Sequence, residues 1–524
     1  MKKDRFFPVA VALLAFVLMS TGCGSESVSE NTVRVVVYDR GTDGGKTNPA
    51  SNKWTQWIQE KVKTDLGLEI VFVPVSRWEE EQAQVTLMAS GNPPDLMMTW
   101  NLANVTQWGE QGGLYDMAPY IDSHLADVKA FLGPDEALPG RDLIVRNQNM
   151  QTGQLFIIPM KRSNTARVNI FMRKDWLDAL GLPVPTTHEE FFNALVAFRD
   201  RNPGGVSGVL PYVMSRDVRW QVANILESFI DPNISLEDSW VNTVSDRYML
   251  MPGYKEGVRF INRMFNAGLI DPDFPLYSDD VMPRNLISSG RVGAFGHNWD
   301  QIFKESEGLT TNLRANVPNA EWIAVDAFPS SDGVTHKISY DPAGLFIFIP
   351  SAAKNPEGAM RYLNWLAKFE NFNFLQIGPE GIVHEIVDGL PKVSPTAGGG
   401  WIQNSSLNMD LTPLHNGLFL KAGEENIQAL ALSYPFPQEA ILQAYNVAMN
   451  NARPGPVIQT ERPLLAIGPV ALTLNQQSEA LLVQAIMAPE ADFDRVWDEG
   501  IVNWLRSGAQ AVVDERRANF VSPF

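Results

Sequence analysis

Apolar and polar positions alternate along this chain in short β and α units. Val33 to Tyr38 is a β-branched apolar run, which predicts a buried strand. Lys53 to Asp65 puts Trp54, Trp57, Ile58 and Val62 on one helical face, and Leu68 to Val73 predicts a second strand. This β-α-β order argues for a parallel sheet. A helix over Glu79 to Ala89, a tight connector Ser90 to Asp95 and a short strand Leu96 to Met98 follow. The apolar run Leu155 to Ile158 is expected to stop at Pro159, which fixes φ and removes a ladder donor. Past the polar segment Lys161 to Thr165, Val168 to Met172 predicts another strand, leading into a helix over Lys174 to Leu180 that Gly181 closes. Pro183 and Pro185 force an extended link, and Thr186 and Thr187 ahead of Glu189 and Glu190 mark the start of an amphipathic helix over 188–201. Later come a helix ending at Gly268, a short strand delivering His297, Asn298 and Trp299 to a loop, and a helix over 356–369. Residues 395–412 are rich in Gly, Ser and Asn and read as a loop. From about Ser478 to Asn519 the pattern is helical, with Phe493, Trp497, Ile501 and Leu505 on a core stripe. No internal repeat or coiled coil is present.

Strand ends nominate the first functional candidates. In open α/β sheets ligands bind beyond the carboxyl ends of strands. That rule selects Asp39 and Arg40 after the first strand and Trp100 and Asn101 after the third.

The 524 residues exceed what one core usually spans, so two or more lobes are expected. Net charge is -18, and residues 1–22 carry +2, leaving -20 on the remainder. Such a surface repels nucleic acid and anionic lipid, and repels a strongly acidic glycan unless a local basic patch overcomes it. Basic residues precede the apolar run Val9 to Met19, long enough for a signal peptide and too short for a membrane span. Cys23, the single cysteine, follows directly, so no intramolecular disulfide can form. Small residues before Cys23 resemble a bacterial lipobox, although Ser20 stands where an aliphatic is usual. Residues 1–22 are therefore expected to be a signal peptide, Cys23 a lipidation site, and residues up to 31 a polar tether.

Several chemistries leave no trace. There is no phosphate-cradling glycine-rich lysine loop, no zinc H-E-x-x-H and no nucleophile-elbow G-x-S-x-G. The six histidines lack metal spacing. Asp271 and Asp273 are a paired-carboxylate candidate that reads better as a surface helix end. A glycosidase would need two convergent carboxylates, which a long-range pair could still provide. The 14 tryptophans suit sugar recognition, where rings cover apolar sugar faces, but a large core also consumes them.

The stretch Asn169 to Thr187 resembles a signature of the extracellular solute-binding lipoproteins of carbohydrate ABC importers. Further matches follow the order of that family: Ala89 to Leu96, Gly112 to Ile121, Ile261 to Phe274, Gly290 to Trp299 and Gly378 to His384. The resemblance implies an α/β, two-lobed periplasmic-binding-protein-like fold, with crossover hinge strands near residues 160 and 340 and a ligand cleft between the lobes. Residues 30–160 plus about 338–395 would form the first lobe, and 161–337 plus about 396–524 the second, with the C-terminal helices.

The implied function is capture of an oligosaccharide and its delivery to the transmembrane subunits of an ABC permease. No catalytic residue, cofactor or nucleic acid is implied, and the protein would be a monomer lipid-anchored at the extracellular face of the cell membrane. Trp299 would be the main stacking platform and Trp100 a second one from the opposite lobe. Asn101, Arg162, Asn164, Trp220, Tyr340 and Glu380 would line the cleft with Asp39 and Arg40. Some relatives carry an EF-hand-like calcium loop after the helix at 188–201. Here Gly204 and Val209 replace oxygen ligands, so no metal is expected. Two rival readings remain: an extracellular polysaccharide-degrading enzyme and a peptide-binding importer component.

Overall fold

The computed structural model describes residues 30–41, 47–304, 308–394, 400–401, 410–421 and 423–522. Cys23 and the apolar segment before it lie outside the described residues, as does most of the loop at 395–412.

Strands in the first half are β1 (Thr32–Asp39), β2 (Glu69–Ser76), β3 (Met97–Thr99), β4 (Ile158–Arg162), β5 (Val168–Arg173), β6 (Leu210–Val213) and β7 (Val292–Asn298). In the second half they are β8 (Trp322–Val325), β9 (Lys337–Ile338), β10 (Ala343–Phe348), β11 (His384–Val387), β12 (Leu390–Val393), β13 (His415–Asn416) and β14 (Ala452–Arg453). β1 and β2 are parallel, as their connecting helix Lys53–Leu66 requires. A parallel bridge, Val35 to Leu96, ties β1 to the segment entering β3. β3, β10, β4 and β13 continue outward, with β10 antiparallel to β3 and β4 and β13 parallel to β4. A second sheet has the order β6-β7-β5-β8.

Each sheet has its own core. Val33, Val35 and Val37 of β1 pack with Trp54, Ile58 and Val62 and with Leu363 and Trp365 of the helix Pro356–Leu366. The second sheet is covered on both faces. Ile170 and Met172 of β5 join a cluster that includes Leu474, Leu481, Trp497 and Trp504 of the C-terminal helices. Phe171 and Phe295 face Ile441 and Ala444 of the helix Gln438–Met449. Local signals explain the element between them: Thr187 Oγ1 accepts from Glu190 N at 3.2 Å, capping the helix His188–Arg201. Gly181, at φ 64°, ends the helix Lys174–Leu180 in the left-handed region.

Among the described residues, three connections run between the cores. Residues 163–167 join β4 to β5, and 339–342 join β9 to β10, near the two expected positions. A third crossing lies between Phe419 and the helix Asn426–Ser433. This corrects the expected lobe boundary near 396. Leu411 and Leu414 sit in the first core, β13 pairs with β4, and Phe419 N donates to Gln376 Oε1 at 2.5 Å. The first lobe therefore keeps the chain to about Phe419.

Pro159 is also corrected. β4 does not stop there but runs through it, with Pro159 opposite Phe346 of β10. On the other side β13 joins only at Lys161, so Pro159 costs no ladder bond on that side.

Candidate functional site

The crossings bring arginines and aromatic rings from both lobes into one stack. Arg162 emerges at the end of β4 on the first crossing. Its guanidinium lies 5.1 Å from the Trp100 ring centroid and 4.9 Å from that of Tyr340. Nη1 donates to the carbonyl of Asp341 at 3.2 Å. The guanidinium fits here because position 344 is glycine: a Cβ there would lie 2.1 Å from Arg162 Nη1. Tyr340, on the second crossing, meets Trp220 of the second lobe at 5.9 Å between centroids and 30° between planes. Arg167 covers Trp220 at 5.4 Å and is ion-paired with Glu227 at 2.5 Å. The Tyr340 hydroxyl points to Asn298 Oδ1 at 3.4 Å.

On the first-lobe side the stack continues through Arg77, whose guanidinium is 5.0 Å from Trp100, 5.6 Å from Tyr38 and 5.5 Å from Trp78. Glu80 is buried behind them. It accepts from the Tyr38 hydroxyl at 2.7 Å and from Trp100 N at 3.0 Å. Burial pushes the Glu80 carboxyl up, against the Tyr38 hydrogen bond that holds it down. Burial pulls the Arg162 and Arg77 guanidinia below their ordinary value, and pushes the Tyr340 hydroxyl up against the pull of Arg167 and Arg162. Trp100 Nε1 is buried without a partner, a donor left over.

Of the residues selected from the sequence, Trp100, Arg162, Tyr340 and Trp220 come together in this stack. Arg40 stands beside it, ion-paired with Asp410 at 2.9 Å, and its carbonyl accepts from Trp78 Nε1 at 3.1 Å. Three others have their side-chain oxygens engaged in local turns: Asp39 accepts from Gly41 N, Asn101 caps its helix through Asn104 N, and Asn164 accepts from Ala166 N.

Trp299 does not face an open cleft. It is 4% exposed, packs in the second-lobe core, and meets Tyr445 edge-on at 5.4 Å. Its indole fills the gap between the sheet and the helix Gln438–Met449. Glu380 lies exposed in the turn before β11, and none of its contacts reaches the stack.

Sequence reasoning missed Arg77 and Trp78. Both follow directly on the end of β2, so the strand-end rule that selected Trp100 would have found them. Trp78 is 72% exposed, yet its orientation is fixed by the Nε1 bond to Arg40.

In the loop at 200–211, Asp200 accepts from Arg199 Nε at 2.7 Å, and Asn202 exchanges hydrogen bonds with Val206. These oxygens are spent on the protein. Among the described residues no cluster of three metal-ligating side chains occurs.

Two α/β lobes, three crossings and a mixed aromatic and polar stack between them define a two-lobed solute-binding fold. The sequence profile of the bacterial extracellular solute-binding proteins matches residues 45–370, and the chain belongs to that family. It is 25% identical over 406 residues to lipoprotein LipO of Bacillus subtilis, covering 74% of each chain. It is 24% identical over 331 residues to the fructooligosaccharide ABC transporter substrate-binding protein FusA of Streptococcus pneumoniae, covering 57% of this chain and 59% of that one. Among solved structures, the alginate-binding protein AlgQ2 without calcium ion superposes with a TM-score of 0.62 at 17% identity, covering 93% of this chain and 97% of that chain.

Proposed function

We propose that this protein captures an oligosaccharide between its lobes and delivers it to the transmembrane subunits of an ABC permease. The observation that carries the reading is the stack itself. Trp100 and Arg162 come from one lobe, Trp220 from the other, and Tyr340 from a crossing between them. Rings cover the apolar faces of a sugar while arginine, asparagine and tyrosine groups take its hydroxyls. A ligand touching both lobes has higher affinity for the closed state and so favours closure. The names of FusA and AlgQ2 speak for saccharides in this family.

No covalent chemistry is part of this proposal. A glycosidase needs two carboxylates flanking the scissile bond. The carboxylates near the stack are engaged: Glu80 with Tyr38, Glu227 with Arg167, and Asp341 with Arg146. The deciding experiment is a thermal-shift and calorimetric panel of oligosaccharides against peptides, run with a reducing-sugar assay on polysaccharides. Saturable sugar binding without turnover is expected. Peptide binding or turnover would sink the reading.

Within this function Trp100→Ala is expected to weaken sugar binding by about 2 kcal/mol, the cost of a binding hot spot. That is about thirtyfold in Kd. Calorimetry beside a melting curve checks it, and unchanged affinity would remove Trp100 from the site.

The proposal includes a signal peptide over residues 1–22, a lipid on Cys23 and a monomeric protein at the extracellular face of the membrane. It rests on the apolar run before the single cysteine, and the LipO relative is named a lipoprotein. Cys23→Ala protein is expected in the soluble fraction of cells. Membrane retention at the wild-type level would refute the anchor.

A further inference from the structure

The charges around the stack are not all joined by hydrogen bonds. Glu80 acts on Arg77, but its oxygens accept from the Tyr38 hydroxyl and Trp100 N. Asp341 acts on Arg162, but its Oδ1 accepts from Arg146 Nη1 at 2.6 Å and from Ala343 N at 2.7 Å. Glu227 is held by Arg167, and Asp410 by Arg40. Among the described residues, two cations of the stack are left without a hydrogen-bonded carboxylate. Arg162 has only backbone carbonyls, and Arg77 has the faces of Tyr38, Trp78 and Trp100. Both lie against the Trp100 ring, at 5.0 and 5.1 Å from its centroid. At Arg77 the fields of Arg40 and of its ion-pair partner Asp410 act in opposite directions. Cation–π contacts stabilise each guanidinium by about 1–2 kcal/mol, less than the desolvation of a buried charge costs. An anion in the cleft would offset the remainder.

We propose that the ligand is a carboxylate-bearing, uronic-acid oligosaccharide. Arg77 and Arg162, both beside Trp100, receive its carboxylates, and the exposed ring of Trp78 carries the adjoining sugar. This rests on the oligosaccharide reading above. The two relatives cannot decide it, because their names span a fructooligosaccharide and the acidic polysaccharide alginate. The net charge of -18 does not oppose it at contact range. At physiological ionic strength, charges beyond about 8 Å are largely screened, so distant acids slow the approach while the two arginines set the affinity. The planar guanidinium fork also matches a carboxylate in a way that a hydroxyl does not.

The test is calorimetry on the full mature chain with trimers of galacturonate, glucuronate and mannuronate, their methyl esters, and a neutral hexose trimer. The ester keeps the shape and removes the charge. At least one acid trimer is expected to bind about tenfold to a hundredfold more tightly than its own ester. That margin should shrink as salt is raised from 50 to 500 mM, on the order of a Debye-length change from ~14 to ~4 Å. Arg77→Met and Arg162→Met should each reduce the margin, while Arg162→Lys retains part of it. If a variant unfolds, the acid-to-ester comparison on the unaltered protein still decides. Neutral or esterified trimers binding as tightly as the acids would overturn the charge assignment and leave oligosaccharide capture standing. Binding of no saccharide would overturn both.

Discussion

Trp299→Ala is expected to destabilise the protein by about 3–5 kcal/mol, the usual cost of removing a buried Trp side chain. The indole belongs to a buried cluster that includes Phe295, Ile302, Phe303 and Ile441, and it meets the Tyr445 ring of the helix Gln438–Met449 edge-on. Its truncation removes apolar burial and leaves a cavity that this rigid contact between sheet and helix closes only in part. Its backbone N–H donates to the Arg167 carbonyl at 3.1 Å, which the substitution preserves. The strand end that presents Asn298 therefore keeps its position. Urea denaturation checks the stability loss, and calorimetry on the folded fraction should find ligand affinity changed less than in Trp100→Ala. Unchanged stability with lost affinity would restore Trp299 as the ligand platform that the sequence pattern suggested.

That contrast shows what was legible in the sequence. The strand β1, the helix His188–Arg201 with its Thr187 cap, and the Lys174–Leu180 helix with its glycine stop carry local signals strong enough to read directly. Their periodicity and capping depend on neighbours within a few residues. The site depends on neighbours that are distant in sequence. Trp220 and Tyr340 meet across 120 positions, and no pattern along the chain encodes that contact. A Trp just beyond a strand end reads the same whether its ring turns outward, as in Trp78, or into the core, as in Trp299. β13 escaped notice because two residues, His415 and Asn416, are too few to show alternation. With it went the third crossing and the true extent of the first lobe.

Arg146→Met should also destabilise by about 3–5 kcal/mol, because it breaks a buried ion network from one side. Arg146 is bidentate to Asp135, with Nε to Oδ2 at 2.6 Å and Nη2 to Oδ1, and reaches Asp341 at the second crossing through Nη1 at 2.6 Å. Asp135 is 2% exposed, so without Arg146 its carboxylate retains few donors, chiefly the N–H of Ala137. Burial by itself would push the Asp135 carboxyl up, but the Arg146 hydrogen bonds and charge outweigh it and hold the group below its ordinary value. A depressed carboxylate pKa contributes stability that is fully present above the unfolded value of about 4 and is lost as pH falls through the folded value. In the variant the same group is raised, so its charged form opposes folding at neutral pH and its protonation relieves that cost. The gap between the two proteins should therefore be widest near pH 7 and narrow toward pH 3. Urea titrations at the two pH values measure it. A gap of equal size at both would mean that the methionine costs packing alone, and that the Arg146 network does not brace the first lobe against its crossing.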